Sequence, residues 1–395
     1  MIIKPRFKKF FCITPHPIGC EYNVYNQIYY VKKRNIFLKK GPKRVLIIGA
    51  SSGFGLASRI VATFGFEAKT IGVFFEKKKN FLNFSNEGWY NIAAFDKFSK
   101  ILGLYSKNIN CDTFTSECKN KVIKLIKKDL GKIDLVIYSV STKSRKLSNN
   151  KIINAVIKPI YKKYTNKTIN ISKSKIINST IKVANNKEII DTISVMGGLD
   201  WELWMEELKK ANVLEEGVKS IAYSCISSKL LSPIYKDSTI GLAKFDFNNS
   251  AKNIHKKLIK INGIVNVVIL KTTITKSTYL NPFMNLYISI LYKVMKNKNL
   301  HEDCISQIFR LMSTCLYNKY YKTDKYNRIR MDTWEKRRDV QKECKKIWLN
   351  VNSHNFKNET DYFNCKKDFL RLFGFRFSEI NYKANVNTNI NINTF

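Results

Sequence analysis

Three glycines stand close enough together to shape a phosphate-binding loop. Gly49, Gly53 and Gly55 form a G-x3-G-x-G arrangement. Glycine lets the backbone turn tightly and approach a pyrophosphate, whose charge the N-terminus of a following helix stabilises. An apolar run at residues 45–48 precedes the loop, and apolar residues at helical spacing follow it at residues 56–62. This order of strand, loop and helix is the context that the motif requires. We therefore predict a nucleotide site here, with a purely structural turn as the alternative.

Charged residues further along the chain indicate which nucleotide would bind. Glu76 ends a second apolar run, about twenty residues beyond the glycine loop. An acid there accepts hydrogen bonds from the adenosine ribose and repels a 2′-phosphate, so it favours NADH over NADPH. Lys77, Lys78 and Lys79 follow directly and could reverse that preference, and the alternative is that all four are solvated charges at a strand end. Asp112 is placed equally well to hydrogen-bond the adenine edge or to cap the next helix.

Hydride transfer to a polarised double bond also needs a proton donor. In short-chain dehydrogenases this is a Tyr, with a nearby Lys that lowers the phenol pKa and holds the nicotinamide ribose. With 20 Tyr and 70 basic residues in 395, chance predicts about 3.5 Tyr-to-basic pairs at any one offset. Spacing alone therefore cannot identify the donor among the Tyr-x3-Lys pairs, which are Tyr29/Lys33, Tyr292/Lys296, Tyr321/Lys325 and Tyr362/Lys366.

The elements that would position these residues alternate in type. Continuous apolar runs, as in strands buried on both faces, occur at residues 45–48, 70–75, 133–139, 221–225 and 264–270, with a shorter strand at 107–110. Helical spacing is found at residues 89–102, 118–129, 200–210 and 282–298. Strands that alternate with helices predict an α/β fold with a doubly wound parallel sheet.

The remaining segments are less regular. His16-Pro17 and Gly19 indicate turns around a short extended segment. Alternation over residues 169–183 suits extended hairpins. Residues 384–395 alternate Asn with small or apolar residues, which predicts a poorly ordered tail.

Composition limits the class of protein. The 395 residues include 70 Lys and Arg against 30 Asp and Glu, a net charge of +40, and 44% are hydrophobic, which is typical of a globular protein and not of a disordered one. The charge invites a nucleic-acid interpretation. However, the lysines are spread through nearly every segment together with Ile, Asn and Tyr, the mixture that A/T-rich codons produce. We therefore favour mutational bias as its origin, and an acidic protein partner is a third explanation.

The apolar runs, the N-terminus and the cysteines argue against an integral membrane protein, a secreted protein and a zinc protein. The longest apolar runs, such as residues 286–292, fall well short of the ~20 residues that span a bilayer. The N-terminus lacks the apolar segment of a secretory signal, so we expect a cytoplasmic protein. The cysteines include no C-x-x-C pair and predict reduced thiols without a zinc or other metal site. They are Cys12, Cys20, Cys111, Cys118, Cys225, Cys304, Cys315, Cys344 and Cys365.

A set of short motifs extends over nearly the whole chain. They are MIIKPR (1–6), HPIGCE (16–21), GPKRV (41–45), GASSGFG (49–55), GVFFE (72–76), GWYN (88–91), VMGG (195–198), YKVMK (292–296) and FLRLFGF (369–375). In content and order they resemble the FabV-type enoyl-[acyl-carrier-protein] reductases and the related trans-2-enoyl-CoA reductases. The density of the motifs, more than any one of them, makes the resemblance specific.

The resemblance implies where the site residues are. The family uses a Tyr-x8-Lys pair, which Tyr235 and Lys244 match in context, so that Tyr235 is the implied proton donor and Lys244 its cofactor-binding partner. An ordinary packed or surface tyrosine is the alternative for Tyr235. The implied cofactor contacts are Gly49, Ala50, Ser51, Ser52, Gly53, Phe54, Phe75, Glu76, Asp112, Thr113, Val140, Ser141, Lys244, Thr273, Ile274 and Thr275.

Two positions depart from the family pattern. Where the family has a second Tyr that contacts the substrate thioester, ten residues before the donor, this chain has Cys225, and a thiol is a weak hydrogen-bond donor. A nucleophilic role for Cys225 is far less favoured than an inert buried thiol. Phe245 stands where the family often has a second Lys, which affects one cofactor or substrate contact.

The resemblance thus implies NADH-dependent reduction of the trans-2 double bond of an enoyl thioester, the last step of fatty-acid elongation. It implies a Rossmann-type core at residues 41–280, an N-terminal extension at 1–40 and a helical region with a substrate lid at 281–380. From the composition of the last residues, we expect a flexible tail at 381–395. The expected partner is acyl carrier protein or enoyl-CoA, without nucleic acid or membrane, and we expect a monomer. The alternative is a polyanion- or RNA-binding protein on a nucleotide-binding fold that has lost catalysis.

Overall fold

A parallel sheet of seven strands organises the chain in the computed structural model, which describes residues 1–8, 11–34, 40–78, 84–170, 174–279, 281–318 and 321–395. Its strands are β3 (Arg44–Ile48), β4 (Lys69–Phe74), β5 (Ser106–Asn110), β6 (Ile133–Tyr138), β11 (Leu214–Cys225), β12 (Ile264–Leu270) and β13 (Ile329–Arg330). Three antiparallel hairpins pair β1 (Phe7–Lys8) with β2 (Phe11–Cys12), β7 (Ser144–Lys146) with β8 (Ile152–Asn154), and β9 (Tyr164–Asn170) with β10 (Lys175–Ile181).

Fourteen α-helices are found in the described residues. They are α1 (Pro17–Arg34), α2 (Gly53–Ile60), α3 (Glu87–Ile101), α4 (Ser116–Asp129), α5 (Asn186–Met196), α6 (Leu199–Lys210), α7 (Ser232–Tyr235), α8 (Thr239–Leu258), α9 (Lys276–Tyr279), α10 (Pro282–Asn297), α11 (Cys304–Arg310), α12 (Arg338–Asn350), α13 (Phe356–Glu359) and α14 (Tyr362–Arg371).

The strand order, β13-β12-β11-β6-β3-β4-β5, places β3 between β4 and β6. The chain builds outward from β3 to β5 and then crosses to the other side at β6, so β3 and β6 flank the topological switch point. Ile48 is in register with Val73 of β4 and with Tyr138 of β6. The carboxyl ends of these strands therefore lie side by side, where doubly wound sheets bind ligands.

Alternate residues of the central strands pack into different cores. Val45 and Ile47 contact the layer that contains α2 and α11, whereas Leu46 and Ile48 contact the layer that contains α4, α6 and α8. All four side chains are fully buried, which explains the continuous apolar run. A third core lies around α10, α12 and α14. The predicted α/β fold is thus confirmed, although β13 comes from beyond residues 41–280, to which we assigned the core.

The N-terminal region differs from its prediction. The turns expected at His16-Pro17 and Gly19 are wrong, because α1 begins at Pro17 and continues through both residues. Proline is favoured in the first turn of a helix, where its missing N–H would have no helical partner. The ring of His16 accepts a hydrogen bond from the Gly19 N–H at 3.1 Å and so caps this first turn.

The last residues also differ from the expected poorly ordered tail. They lie against α3, where Trp89 Nε1 donates to the Ile390 carbonyl at 2.8 Å and the Tyr90 hydroxyl donates to the Thr388 carbonyl at 2.9 Å. Ile392 is buried in the same cluster. The regularly spaced Ile residues therefore supply packing contacts, and Asn387 stabilises the local turn through its side-chain oxygen.

The expectation of reduced cysteines is wrong for one pair. Cys111 follows β5, Cys118 lies in the first turn of α4, and the two form a disulfide with Cα atoms 5.7 Å apart. The short loop between β5 and α4 brings the two thiols together, which sequence spacing without a C-x-x-C pair did not indicate. Among the described helices, none combines the length and the apolar character needed to cross a membrane.

Candidate active site

The glycine loop follows β3 at the switch point and has the shape that a phosphate site needs. Gly49 has a φ of +92°, and a Cβ there would lie 2.6 Å from the Ser139 carbonyl oxygen, so only glycine fits. Ala50 and Ser51, within the loop, are buried. Ser52 precedes α2 and does not cap it through its side chain. Such a helix terminus favours an anion.

Glu76 lies beside this loop at the end of β4 and is fixed by two hydrogen bonds. Its carboxylate accepts from Ser51 Oγ at 2.7 Å and from Asn86 Nδ2 at 2.8 Å. Gly88 leaves room for it, since a Cβ there would lie 2.1 Å from Glu76 Oε1. Burial and the nearby Glu87 raise the pKa of Glu76, and Lys276 opposes that rise. The alternative of a freely solvated charge is therefore wrong for Glu76.

The neighbours of Glu76 project outward. Phe75 is 68% exposed, so its ring is available to stack on a planar group such as adenine. Lys77 and Lys78 are exposed. Lys79 lies outside the described residues.

The Asp112–Thr113 turn, predicted to lie at the adenine, is held by a buried charge pair. Asp112 accepts from the Phe114 N–H within its own turn, whereas Thr115 caps α4, so the capping alternative for Asp112 is wrong. The Thr113 carbonyl accepts from Lys119 Nζ at 3.1 Å. Lys119 in turn pairs with the buried carboxylate of Asp200 on α6 at 2.9 Å.

Val140 and Ser141 follow β6 on the other side of the glycine loop. Ser141 Oγ lies 2.9 Å from Ser277 Oγ, which joins the end of β6 to α9. Lys276, also on α9, forms an ion pair with Glu87 at the start of α3. The segment after β12 therefore contacts both the end of β6 and the start of α3.

The loop from Thr273 to Thr275 leads from β12 into α9. The hydroxyl of Tyr292, on α10, lies 2.7 Å from Thr273 Oγ1 and accepts from the Ile274 N–H at 3.0 Å. The side-chain hydroxyls of Thr275 and Thr278 share a hydrogen bond, with their oxygen atoms 3.2 Å apart. The hydroxyl groups of Tyr292, Thr273, Thr275 and Thr278 thus fix this loop.

The structure brings the predicted catalytic pair together: Tyr235 is the last residue of α7, and Lys244 lies in α8. Lys244 Nζ lies 4.7 Å from the ring centroid of Tyr235. The same ammonium donates to Cys225 Sγ at 3.2 Å. The structure therefore places all three residues in one cluster. Phe245, in contrast, is 64% exposed on α8.

The surroundings of Tyr235 favour its neutral form. Burial raises the pKa of Tyr235, the nearby thiol of Cys225 adds to the rise, and the Asn281 side chain opposes it. Lys244 lies over the ring face and bonds to Cys225, so the lowering of the phenol pKa by Lys that the dehydrogenase comparison suggests is not found in this arrangement.

Several supporting residues were not identified from the sequence. Asn86, Lys276 and Asn281 carry no motif, and Tyr292 entered only as part of YKVMK and as one of several Tyr-x3-Lys pairs. Lys276 and Glu87 are 189 positions apart, so no local pattern links them.

Comparison with known proteins decides the family. The sequence matches the family described as "Trans-2-enoyl-CoA reductase catalytic region" over residues 83–317 and the "NAD(P)H binding domain of trans-2-enoyl-CoA reductase" over residues 2–80. The chain belongs to the trans-2-enoyl-CoA reductase family. The resemblance in the sequence motifs is thus confirmed.

Named relatives in this family extend over the whole chain. An enoyl-[acyl-carrier-protein] reductase [NADH] FabV of Aeromonas salmonicida is 47% identical, covering 99% of this chain and 98% of its own. A counterpart from Edwardsiella ictaluri is 46% identical over the same shares. The trans-2-enoyl-CoA reductase of Clostridium acetobutulicum, solved with NADH, superposes with a TM-score of 0.95 at 43% identity and covers 98% of both chains.

A third match, "Enoyl reductase FAD binding domain", covers residues 323–386. This segment does not fit a flavin dinucleotide. Its single glycine, Gly374, packs against Gly19, so it offers no glycine loop for a pyrophosphate. Its buried Glu335 and half-buried Gln341 are hydrogen-bonded to residues of this chain. We derive no chemistry from a flavin.

Proposed function

We propose that this chain reduces the trans-2 double bond of an enoyl thioester with NADH, the last step of fatty-acid elongation. The observation that carries the proposal is the cluster of Tyr235, Lys244 and Cys225 at the carboxyl end of β11, in the same parallel sheet whose β3 and β4 lead into the glycine loop and Glu76. Membership of the trans-2-enoyl-CoA reductase family supports the same reaction.

The cofactor would be held by the residues at the carboxyl ends of the strands. The N–H groups of Gly53 and Phe54 suit the pyrophosphate, and the Glu76 carboxylate suits the adenosine ribose hydroxyls. Asp112 and Thr113 would face the adenine, while Val140, Ser141 and the loop Thr273–Thr275 would face the nicotinamide half. Bound NADH supplies a hydride to the β-carbon of the substrate.

Tyr235 would act as the general acid. Its raised pKa keeps the hydroxyl protonated at neutral pH, so it can hydrogen-bond the thioester oxygen and deliver a proton as charge develops there. Lys244, in the same cluster, would bind the nicotinamide ribose, and its positive charge would stabilise the developing enolate.

Substrate contacts would come from Cys225 and from α10. Cys225 occupies the place of a stronger hydroxyl donor, so the thioester oxygen receives a weaker second hydrogen bond. Helix α10 covers the third hydrophobic core and would border the acyl chain. The Aeromonas relative is named for acyl carrier protein and the Clostridium relative for CoA, so we propose both carriers as substrates. We also propose that the enzyme is a cytoplasmic monomer.

The test follows NADH oxidation with crotonyl-CoA and with crotonyl-acyl carrier protein. Tyr235→Phe keeps the ring and removes the acid, and we expect kcat to fall by about 10²-fold or more. Binding of NADH, followed by its fluorescence, should change little. Tyr161→Phe, which removes a hydroxyl from an exposed tyrosine, is the matched control. Equal turnover by the Tyr235→Phe variant, or no turnover by the native chain with either carrier, would contradict the proposal.

A further inference from the structure

A buried carboxylate lies beneath the cofactor loop. Glu335 is fully buried in the turn between β13 and α12. One carboxylate oxygen accepts from the Thr272 N–H at 2.7 Å, and the other accepts from the Tyr287 hydroxyl at 2.8 Å and from Thr272 Oγ1 at 3.2 Å. A buried carboxylate is stable only with such partners. Glu335 therefore holds both the backbone and the side chain of Thr272.

Thr272 is the residue from which the cofactor loop starts. It follows β12 directly and precedes Thr273, the first of the three predicted cofactor contacts. Tyr287, the second partner of Glu335, lies on α10 together with Tyr292, which binds the same loop further along. The position of the loop relative to α10 is thus set by Glu335 and Tyr292.

A second set of hydrogen bonds extends from Glu335 towards the proton donor. Gln341 Nε2, on α12, donates to the Glu335 carbonyl at 2.7 Å and to the Tyr287 hydroxyl at 3.2 Å. Gln341 Oε1 accepts from Ser228 Oγ at 2.8 Å. Ser228 is buried in the segment between Cys225 and Tyr235, where its hydroxyl also caps the short turn that leads into α7.

We propose that Glu335 and Gln341 are positioning residues that couple the cofactor loop at Thr272 to the segment of Tyr235 at Ser228. Neither is among the predicted contacts of cofactor or substrate. The hydrogen bonds run continuously from Thr272 through Glu335, Tyr287 and Gln341 to Ser228. They set the distance between the hydride donor and the proton donor. This inference rests on the proposed reductase function.

Glu335→Gln tests the first half of the coupling. The amide keeps the size of the side chain but replaces one acceptor with a donor, so Thr272 or Tyr287 loses its partner. Because small displacements of reacting groups are costly, we expect kcat at saturating substrates to fall about tenfold or more. The primary isotope effect with NADH deuterated at the transferred position should rise, which reduced folding alone would not cause.

The second half is tested by combining variants. Ser228→Ala removes the far end of the hydrogen-bond chain, and we expect it to lower kcat severalfold. If the two ends act through one chain, the double variant should be no slower than Glu335→Gln alone, whereas independent effects would multiply. Asp332→Asn is the matched control, because Asp332 is equally buried in the same turn but pairs with Arg330. Asp332→Asn should keep kcat within about twofold of the native value, and its effect on kcat should multiply with that of Ser228→Ala.

Two outcomes would overturn the coupling. One is multiplicative loss in the double variant, and the other is a Glu335→Gln protein that melts earlier but has the native kcat and isotope effect. Should Glu335→Gln fail to fold, Gln341→Met replaces it, with the same loss of kcat expected and an unchanged kcat contradicting the proposal. A native chain without turnover would instead contradict the proposed function, so the two failures are distinguishable.

Discussion

At the scale of single residues, Cys225 stands where we propose the second contact with the substrate thioester. Its sulfur accepts a hydrogen bond from Lys244 Nζ and lies in the cluster with Tyr235. A hydroxyl of a tyrosine would be a stronger donor to the thioester oxygen. Oxyanion donors of this kind contribute about 10²–10³-fold to kcat in other enzymes.

Cys225→Tyr should therefore raise kcat with crotonyl-CoA by about tenfold or more. The matched control is Cys225→Phe, which adds the same ring without the hydroxyl and should not accelerate turnover. Both variants lose the thiol that Lys244 contacts, so the difference between them reports the hydroxyl alone. Equal kcat values for the two variants would show that no second donor acts on the thioester.

If Glu76 binds the cofactor as proposed, cofactor binding should depend on pH. In that role the ionised carboxylate accepts hydrogen bonds from the ribose hydroxyls, and burial and Glu87 raise its pKa above that of a free glutamate. Acidification therefore protonates it earlier than a solvent-exposed Glu, so KM for NADH should rise as the pH falls from about 7 towards 5.

The matched variant is Glu76→Gln, whose KM for NADH should be high at neutral pH and nearly constant over the same range. Loss of the negative charge should also improve the use of NADPH, since the repulsion of a 2′-phosphate is removed. A native KM that does not change between these pH values would contradict the assignment of Glu76.

At the scale of elements, the buried pair of Lys119 and Asp200 ties α4 to α6. The Asp200 carboxylate also accepts from the Tyr138 hydroxyl at the end of β6, at 3.1 Å. Burial raises the pKa of Asp200, and Lys119 opposes that rise. Since Lys119 also supports the Thr113 carbonyl, the packing of two helices fixes the predicted adenine turn.

Asp200→Asn should lower the free energy of unfolding by about 3–5 kcal/mol, because it leaves the buried ammonium of Lys119 without its counter-charge. Urea denaturation measures the loss. Glu206→Gln on the same helix, which breaks surface ion pairs with Lys210 and Lys257, should lower the free energy of unfolding far less. Similar losses in the two variants would mean that burial does not strengthen the helical contact.

The elements also show which predictions a sequence permits. The strands around Val45 and Val136 could be predicted because both faces are buried, which forces a continuous apolar run. The helix at Pro17 was missed because a Pro-Gly pattern is shared by turns and by first helical turns. The disulfide of Cys111 was missed because a loop, not a spacing rule, brings its partner close.

At the scale of the whole molecule, the site combines residues that are distant in sequence. The glycine loop could be predicted because its function needs a local pattern, and Tyr235 only through the family resemblance. Contacts such as Thr272 with Glu335 depend on how α10 and α12 pack on each other, and no local signal encodes that packing. The sequence therefore predicts the groups that react more readily than the groups that hold them.

The net charge of +40 also belongs to this scale. Positive charge in excess over the few acidic residues would attract an acidic carrier protein and speed its docking, an effect that salt screens. The net charge does not determine the fold.

The packing of the last residues on α3 has a genetic consequence. Helix α3 begins at Glu87, which pairs with Lys276, and contains Gly88, which leaves room for Glu76. The contacts of Trp89 and Tyr90 with residues 388–390 hold this same turn of the helix. A premature stop codon after residue 386 would thus weaken cofactor binding, although every predicted site residue would still be encoded.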